Sequence, residues 1–222
     1  MALTKNARGL LISPYEKFRQ DVKQGNPNKS ARWFQDKIQS LQLYKDTPTK
    51  VMQKEEVGEQ RSQLRYGFMY LYNYDPKTKE DLPFYDTWPL VLPFDTFPGG
   101  FVGLNFHYLP PKLRFDLLAR LIEYTTQGYT ESERFFVSWS LLKQVAAFPT
   151  VRPCIKRYLY THINSRSFLK INAEDWKLTV MLPLARFEKE SERTVWRRSV
   201  EIIEEKKKAI IKNRNTPPKL RK

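Results

Sequence analysis

Lysine and arginine side chains form the largest group of residues in this sequence whose chemistry points to a function. The 222 residues include 39 Lys or Arg against 24 Asp or Glu, a formal net charge of +15 and a pI near 9.8. Such an excess is typical of a protein whose partner is polyanionic. The net charge is +4 over residues 1–60, −1 over 61–110, +6 over 111–170 and +6 over 171–222. Basic segments therefore flank a nearly neutral centre.

Three groups of cations are spaced so that each can present one face to phosphate groups. Arg152, Lys156 and Arg157 fall within about two turns of a predicted helix, and a second predicted helix carries its cations at i, i+4 and i+5. The third group, from Lys206 to Lys222, has eight cations and no acid. The candidate nucleic-acid or polyanion contacts are Arg152, Lys156, Arg157, Arg193, Arg197, Arg198, Lys206, Lys207, Lys208, Lys212, Arg214, Lys219, Arg221 and Lys222.

Two of these groups have an alternative interpretation, a solvated helix surface for the second and an idle tail for the third. On the second helix, Arg197 and Arg198 can equally pair with nearby glutamates as an ordinary solvated surface; the candidates are Glu190, Glu192, Glu201 and Glu204. The basic C-terminal run has no neighbouring acid that could neutralise it, so we expect it to contact DNA or an acidic partner.

The carboxylates of the central segment are the best candidates for acid–base chemistry or a magnesium site; they are Asp75, Asp81, Asp86 and Asp95. Each also lies in a predicted turn, where an aspartate caps backbone N–H groups, and we expect that role. We expect His107 to be a hydrogen-bonded structural histidine and Cys154 to be an inert buried thiol.

No phosphate-binding, dinucleotide-binding, serine-hydrolase or zinc-protease motif occurs in the sequence. With one cysteine and two histidines, the chain has no internal disulfide and few metal ligands. We therefore expect a non-enzymatic protein without catalytic residues, cofactor or metal. The longest apolar runs, such as residues 88–94, are broken by proline and are too short to span a membrane, and residues 9–12 are too short for an export signal.

The N-terminal third predicts an arm, one helix and a connector. Ser30 can cap a helix of about four turns in which Phe34, Ile38 and Leu41 recur at helical spacing, and Pro48 lies just beyond its end. Residues 46–62 are polar and contain turn-forming residues, so we expect them to connect this helix to the central segment. We assign residues 1–62 to this N-terminal part.

The central segment, from Leu64 to Leu109, has the spacing of short strands. Residues 65–74 lead into turn chemistry at residues 75–79, which predicts a hairpin, and Pro98-Gly99-Gly100 predicts a second hairpin with a positive φ at Gly100. Prolines at the strand ends favour a small bent sheet or an SH3-like barrel. The aromatic residues here can stack on unpaired bases, but we expect most of them to pack in the core; they are Tyr66, Tyr70, Tyr72, Tyr74, Phe84 and Tyr85.

The remaining residues predict helices with one further hairpin. The helices span residues 112–127, 131–148, 153–163 and 190–212, and the hairpin joins residues 168–171 to 177–182. The fold class is therefore α+β, with a small antiparallel sheet or barrel packed against several helices and with basic terminal extensions. We place the core domain at residues 63–189 and a C-terminal basic helix and tail at residues 190–222.

One central string carries a family resemblance. It comprises Phe84-Tyr85-Asp86, Pro89-Leu90-Val91, Gly99-Gly100-Phe101, Gly103-Leu104-Asn105 and His107-Tyr108-Leu109-Pro110-Pro111. From about Tyr66 to Trp196 the chain resembles small virion-associated proteins of large contractile-tailed phages, the group called DNA end protector proteins. The resemblance implies a virion protein that acts during genome packaging and is present in the host cytoplasm during assembly. It supplies no catalytic residues.

Two functions fit both the charge and the resemblance. In the first, the protein binds double-stranded DNA ends or the head–tail channel during packaging and particle completion. In the second, it is a structural tail, neck or baseplate component whose cations meet acidic surfaces of other virion proteins, such as the portal. Both need basic extensions on a folded core, so the sequence leaves them open.

Overall fold

Six strands form one antiparallel sheet at the centre of the fold. The computed structural model describes residues 4–5, 11–12, 48–54, 58–60, 64–125 and 149–214. The strands are Thr4–Lys5 (β1), Leu11–Ile12 (β2), Gly58–Gln60 (β3), Met69–Leu71 (β4), Tyr85–Asp86 (β5), Leu90–Phe97 (β6), Gly100–Asn105 (β7), Ile155–Leu159 (β8), Leu169–Ile171 (β9) and Phe187–Glu188 (β10). The central sheet has the order β3-β9-β4-β6-β7-β8, and β1–β2 and β5–β10 form two separate antiparallel pairs.

Four α-helices and five short 3₁₀ helices complete the described fold. The α-helices are Pro48–Lys54 (α1), Pro111–Thr125 (α2), Trp176–Thr179 (α3) and Glu192–Arg214 (α4). The 3₁₀ helices are Phe106–Tyr108, Pro149–Cys154, Tyr160–His162, Ser165–Ser167 and Ala173–Asp175. The α+β class and the sheet packed against helices are confirmed, as are the helices predicted from residues 112 and 190.

The SH3-like barrel is not formed. In the part of the chain that the structure describes, β3 and β8 are the two outer strands and do not pair with each other. The inner strands β4 and β9 have only three residues each. Strands this short give little of the tilt and stagger that barrel closure requires, so the sheet stays open.

The hairpin of β6 and β7 confirms the prediction made from its turn, with one correction. Pro98 and Gly99 join the two strands, and Gly99 has the left-handed φ of +81°. Gly100 has no such φ and begins β7. A Cβ on Gly100 would instead overlap the carbonyl oxygen of Tyr158 and the ring of Phe97. Gly100 is therefore required for close strand packing, whereas Gly99 is required for the turn.

Three predicted elements are wrong. The turn at residues 75–79 does not join β4 to β5 in a hairpin: β5 pairs with β10, and β4 pairs with the later strands β6 and β9. Residues 155–159 are strand rather than helix, since every residue of β8 pairs with β7. Residues 177–182 begin in the short helix α3 instead of a strand. The helices predicted at Ser30 and at residues 131–148 lie outside the described residues.

The core is divided between the two faces of the sheet. Leu90 and Leu104 pack with Leu118 of α2 and Ile203 of α4 in the larger apolar cluster. Alternate positions of the same strands supply a second, largely aromatic cluster on the other face, because successive side chains of a strand point to opposite sides. Its members are Tyr70, Tyr72, Tyr74, Val91, Phe101, Tyr158 and Phe168.

Candidate nucleic-acid interface

A cleft of about 530 Å³ opens where the segment from Tyr74 to Asp86 faces strand β8. Strand β8 pairs with β7. Its side chains Lys156 and Arg157 lie against the rings of Tyr108 and Phe97. The lining residues are Tyr74, Pro76, Lys77, Thr78, Leu82, Pro83, Phe84, Tyr85, Asp86, Phe97, Asn105, Tyr108, Lys156, Arg157, Tyr158 and Leu159. The cleft is thus mostly apolar and contains a few cations.

Two of the predicted cations line this cleft, and each lies over an aromatic ring. The Lys156 ammonium is 3.8 Å from the centre of the Tyr108 ring, and the Arg157 guanidinium is 4.2 Å from that of Phe97. No carboxylate of the described residues lies within 4.0 Å of either cation. Burial lowers the pKa of Lys156. The cleft therefore holds two cations that form no ion pair with a described carboxylate, although Asp86 also lines it.

The aromatic residues separate into core and cleft. Tyr70, Tyr72 and Tyr74 are buried in the aromatic cluster, which confirms core packing for them. Phe84 and Tyr85 are half-buried and line the cleft, so part of each ring remains accessible. Tyr66 is also half-buried but does not line the cleft, so Phe84 and Tyr85 are the members of the predicted stacking group that can meet a ligand there.

One cation of the second group, Arg198 of α4, lies against a ring of the same cleft. Arg198 lies 5.3 Å from the Phe84 ring centre and makes an ion pair of 2.7 Å with Glu190, so the ion-pair alternative is confirmed for this residue. Arg193 and Arg197 are exposed, and neither has an acidic partner within 4.0 Å among the residues that the structure covers. The Phe84 ring is 5.9 Å from that of Tyr108, over which Lys156 lies. Two groups that are far apart in sequence thus meet through two rings.

The remaining predicted cations are more dispersed. Arg152 is exposed on the 3₁₀ helix Pro149–Cys154, which packs against α4. Lys206 is half-buried, Lys208 is exposed, and Lys207 makes an ion pair of 2.7 Å with Glu204. The expectation that no neighbouring acid neutralises this run is therefore wrong for Lys207. Lys212 and Arg214 end α4, and Lys219, Arg221 and Lys222 lie outside the described residues.

A buried carboxylate forms the floor of the cleft. Asp86 accepts hydrogen bonds from His107 Nδ1 (2.8 Å), Asn105 Nδ2 (3.1 Å) and the backbone N–H groups of Trp88 and Arg186. Burial alone would raise the pKa of Asp86, but His107 and the N–H donors hold it below its usual value. Burial lowers the pKa of His107, which is therefore neutral at pH 7. The turn-capping and structural roles expected for these residues are confirmed.

An arginine that residue type and spacing did not single out supports this floor. Arg114 of α2 is 1% exposed and donates hydrogen bonds to the carbonyl oxygens of Leu109 (2.6 Å) and His107 (3.2 Å). Its guanidinium lies 5.2 Å from the Trp196 ring centre and 4.0 Å from a Glu192 oxygen. Burial lowers its pKa to about 10. The arginine remains protonated at pH 7 and joins α2 to α4.

A lysine fixes the rim of the cleft, and this role too was missed. Lys189 Nζ donates to the carbonyl oxygens of Lys79 (2.7 Å), Glu80 (2.9 Å) and Leu82 (3.1 Å). Lys189 has a φ of 67°, which is strained for a residue with a side chain. It follows β10, whose partner β5 is in the cleft wall. Only the fold brings residue 189 to residues 79–82, so sequence spacing gave no signal.

Metal ligands, the single cysteine and helix composition bear on what other chemistry the described residues offer. No group of three or more His, Cys, Asp or Glu side chains there could hold a metal ion. Cys154 is buried, and burial raises the pKa of its thiol to about 12. None of the helices in that part combines the length and apolar composition needed to cross a membrane.

A comparison with known protein families gives one match. A family model described as phage T4 terminal DNA protecting protein matches residues 2–201. Searches of curated proteins and of solved structures return no match. The matched range includes the whole cleft lining and the first part of α4, through Glu201.

Proposed function

The chain belongs to the family of phage T4 terminal DNA protecting proteins, and from this premise we propose that it binds the ends of double-stranded DNA. Bound at a terminus, it covers the last base pairs and denies nucleases access to them. Protection of this kind requires binding alone and no bond breakage, so we assign no catalytic residue. The protein acts as a non-enzymatic DNA-binding component of a phage.

One observation carries this proposal: four exposed arginines, one of them in the cleft, lack acidic partners among the described residues. Arg152, Arg157, Arg193 and Arg197 are exposed, and none has a carboxylate within 4.0 Å among the described residues. An arginine already paired with an acid would have to give up that contact to bind phosphate. These four do not, so their charge is available to the DNA backbone.

The proposal extends to a place in the particle. A protein that seals packaged DNA acts at the end of genome packaging, next to the head–tail channel. It would enter the virion after assembly in the host cytoplasm, and its protein neighbours would be portal, neck, tail or baseplate subunits.

A salt-dependent binding titration tests the proposal. The purified full chain is titrated with a linear duplex and with a covalently closed circle of the same sequence and length. We expect tighter binding to the linear DNA and an affinity for both that falls steeply with salt concentration. Equal affinity for the two DNAs, or no binding at low salt, would contradict end binding. The latter result would favour a purely structural role.

A further inference from the structure

We propose that the cleft between Phe84 and strand β8 receives the terminal nucleotide of the DNA. The base lies against the accessible rings of Phe84, Tyr85 and Phe97, and the terminal phosphate lies at Lys156 and Arg157. This inference rests on the proposed function, because it names the part of the protein that distinguishes an end from internal duplex.

The composition of the cleft fits a ligand with one planar apolar part and one anionic part. Its volume of about 530 Å³ is that of a typical small-ligand site. Half-buried rings supply the stacking surface that every base can use. Lys156 and Arg157 lie over rings at 3.8 and 4.2 Å and have no described carboxylate within 4.0 Å, so a phosphate would be the first anion to contact them directly.

The cleft is formed before a ligand enters it. Asp86 also lines the cleft, but its charge is offset by four N–H groups that hold it in the floor. On the rim, the three hydrogen bonds from Lys189 fix residues 79–82. The strained backbone of Lys189 is maintained by these bonds. A preformed site loses little conformational entropy on binding, which favours affinity.

Accessibility of the base explains why the cleft would select ends. An internal base is paired and stacked, and removing it from the duplex costs a few kcal/mol. The last nucleotide has a neighbour on one side only, and in an overhang it has no pairing partner. A cleft for one unpaired nucleotide therefore favours a terminus without reading its sequence.

The experiment compares two cleft variants with two matched controls. Lys156→Gln removes a cation from the cleft, and Phe84→Leu removes a ring. The controls are Lys170→Gln and Phe68→Leu, because Lys170 lies 4.4 Å from the Phe68 ring centre in the same kind of contact, outside the cleft lining. The probes are a 5′-phosphorylated duplex with one-nucleotide overhangs and the same duplex closed by hairpin loops at both ends.

We expect each cleft variant to bind the open duplex about tenfold more weakly, while its affinity for the closed duplex stays unchanged. The control variants should keep the preference for the open duplex. Removing the 5′-phosphate from the open probe should reduce the affinity of the wild type more than it reduces the affinity of the Lys156→Gln variant. If Lys156→Gln unfolds, Arg157→Gln takes its place, and its loss of affinity should be larger for the open duplex than for the closed duplex.

Two results would overturn the inference, and they differ from failure of the proposed function. If the cleft variants retain the full preference for the open duplex, the cleft is not the site, although the protein still binds ends. If the variants bind DNA normally but lose binding to an acidic peptide, the cleft serves a protein partner. If the wild type itself does not prefer open ends, the proposed function fails.

Discussion

Two regions of the molecule differ in the burial and the partners of their arginine side chains. The buried support below the cleft consists of Asp86, His107 and Arg114. In it, Arg114 is almost completely buried, donates hydrogen bonds to two carbonyl oxygens and lies near the Glu192 carboxylate and the Trp196 ring. In the cleft wall, Arg157 is exposed and has one ring as its partner. The first arginine has its polar contacts within the protein, whereas the second can still bind an anion.

The comparison shows that net charge does not identify the residues that bind a polyanion. Arg114 contributes to the formal charge of +15 as much as Arg157 does, yet its guanidinium cannot reach a phosphate. The two regions should therefore respond differently to mutation. Changes in the buried support should reduce stability, and changes on the exposed side should reduce DNA binding.

The largest effect on stability is expected for Arg114→Met. Methionine keeps much of the volume but leaves the carbonyl oxygen of Leu109 without its donor and removes the contact with Trp196. We expect a loss of about 3 kcal/mol in the free energy of unfolding, measured by urea denaturation. The control is Arg120→Met, an exposed position on the same helix, which should change stability by less than about 0.5 kcal/mol. Equal losses at the two positions would contradict the distinction.

The pH dependence of stability should come from the buried support. The pKa of His107 is lowered by burial, and that of Asp86 is held below its usual value, so both groups bind protons more readily in the unfolded chain. Unfolding is therefore favoured as the pH falls below about 6.5, the usual pKa of histidine. We expect the urea midpoint to fall between pH 7 and pH 5.5.

The variant His107→Gln tests the source of this pH dependence. It should be less stable than the wild type at pH 7, and its midpoint should fall less between pH 7 and pH 5.5. His162→Gln, which alters the other histidine, is the control and should keep the wild-type decrease. An unchanged decrease in His107→Gln would assign the effect to other groups.

Substitutions at the two glycines of the β6–β7 hairpin should cause intermediate losses of stability, for a different reason at each glycine. Gly100→Ala places a Cβ against the Tyr158 carbonyl and the Phe97 ring, and we expect it to cost about 2 kcal/mol and to weaken end binding, because Phe97 lines the cleft. Gly99→Ala meets no atom within 4 Å but is strained by its φ of +81°, so we expect about 1 kcal/mol and normal binding. Thermal unfolding and DNA titration of both variants measure the difference. A larger loss of stability in Gly99→Ala than in Gly100→Ala would contradict this explanation.

The sequence predicted elements that local signals define and missed those that depend on distant pairing. Pro98-Gly99 and Pro111 have local turn and helix-start chemistry, and the elements next to them are confirmed. The strand at residues 155–159 depends on pairing with β7, about 55 residues earlier, and local periodicity suggested a helix instead. Short strands are especially prone to this error, because tertiary pairing overrides weak local preference.

The sequence predicted some of the cations of the candidate site but not how they are arranged in space. Lys156 and Arg198 were selected by residue type and spacing, but no pattern showed that they meet through Tyr108 and Phe84. Arg114 was indistinguishable from the other arginines, since burial is decided by the packing of α2 against α4. The separation of structural from available cations requires the fold.

The smallest effect on stability is expected on the exposed face of α4. Replacing Arg193 and Arg197 together by Gln removes two cations that have no acidic partner among the described residues, so stability should change by less than about 0.5 kcal/mol. Affinity for duplex DNA should fall similarly for every sequence. If each arginine contacts one phosphate, the slope of log K against log salt concentration should decrease by about 1.8.

A matched set of substitutions shows whether available charge, rather than total charge, governs binding. Gln at Lys206, Lys207 and Lys208 removes three cations, but Lys207 is paired with Glu204 and Lys206 is half-buried, so the decrease in salt slope per charge should be smaller than at Arg193 and Arg197. Lys79→Gln, which removes a cation paired with Asp75 at 3.0 Å, should leave the slope nearly unchanged. If all these cations contribute equally, binding depends on net charge alone. The contrast between the buried and exposed arginines would then have no bearing on how the protein holds DNA.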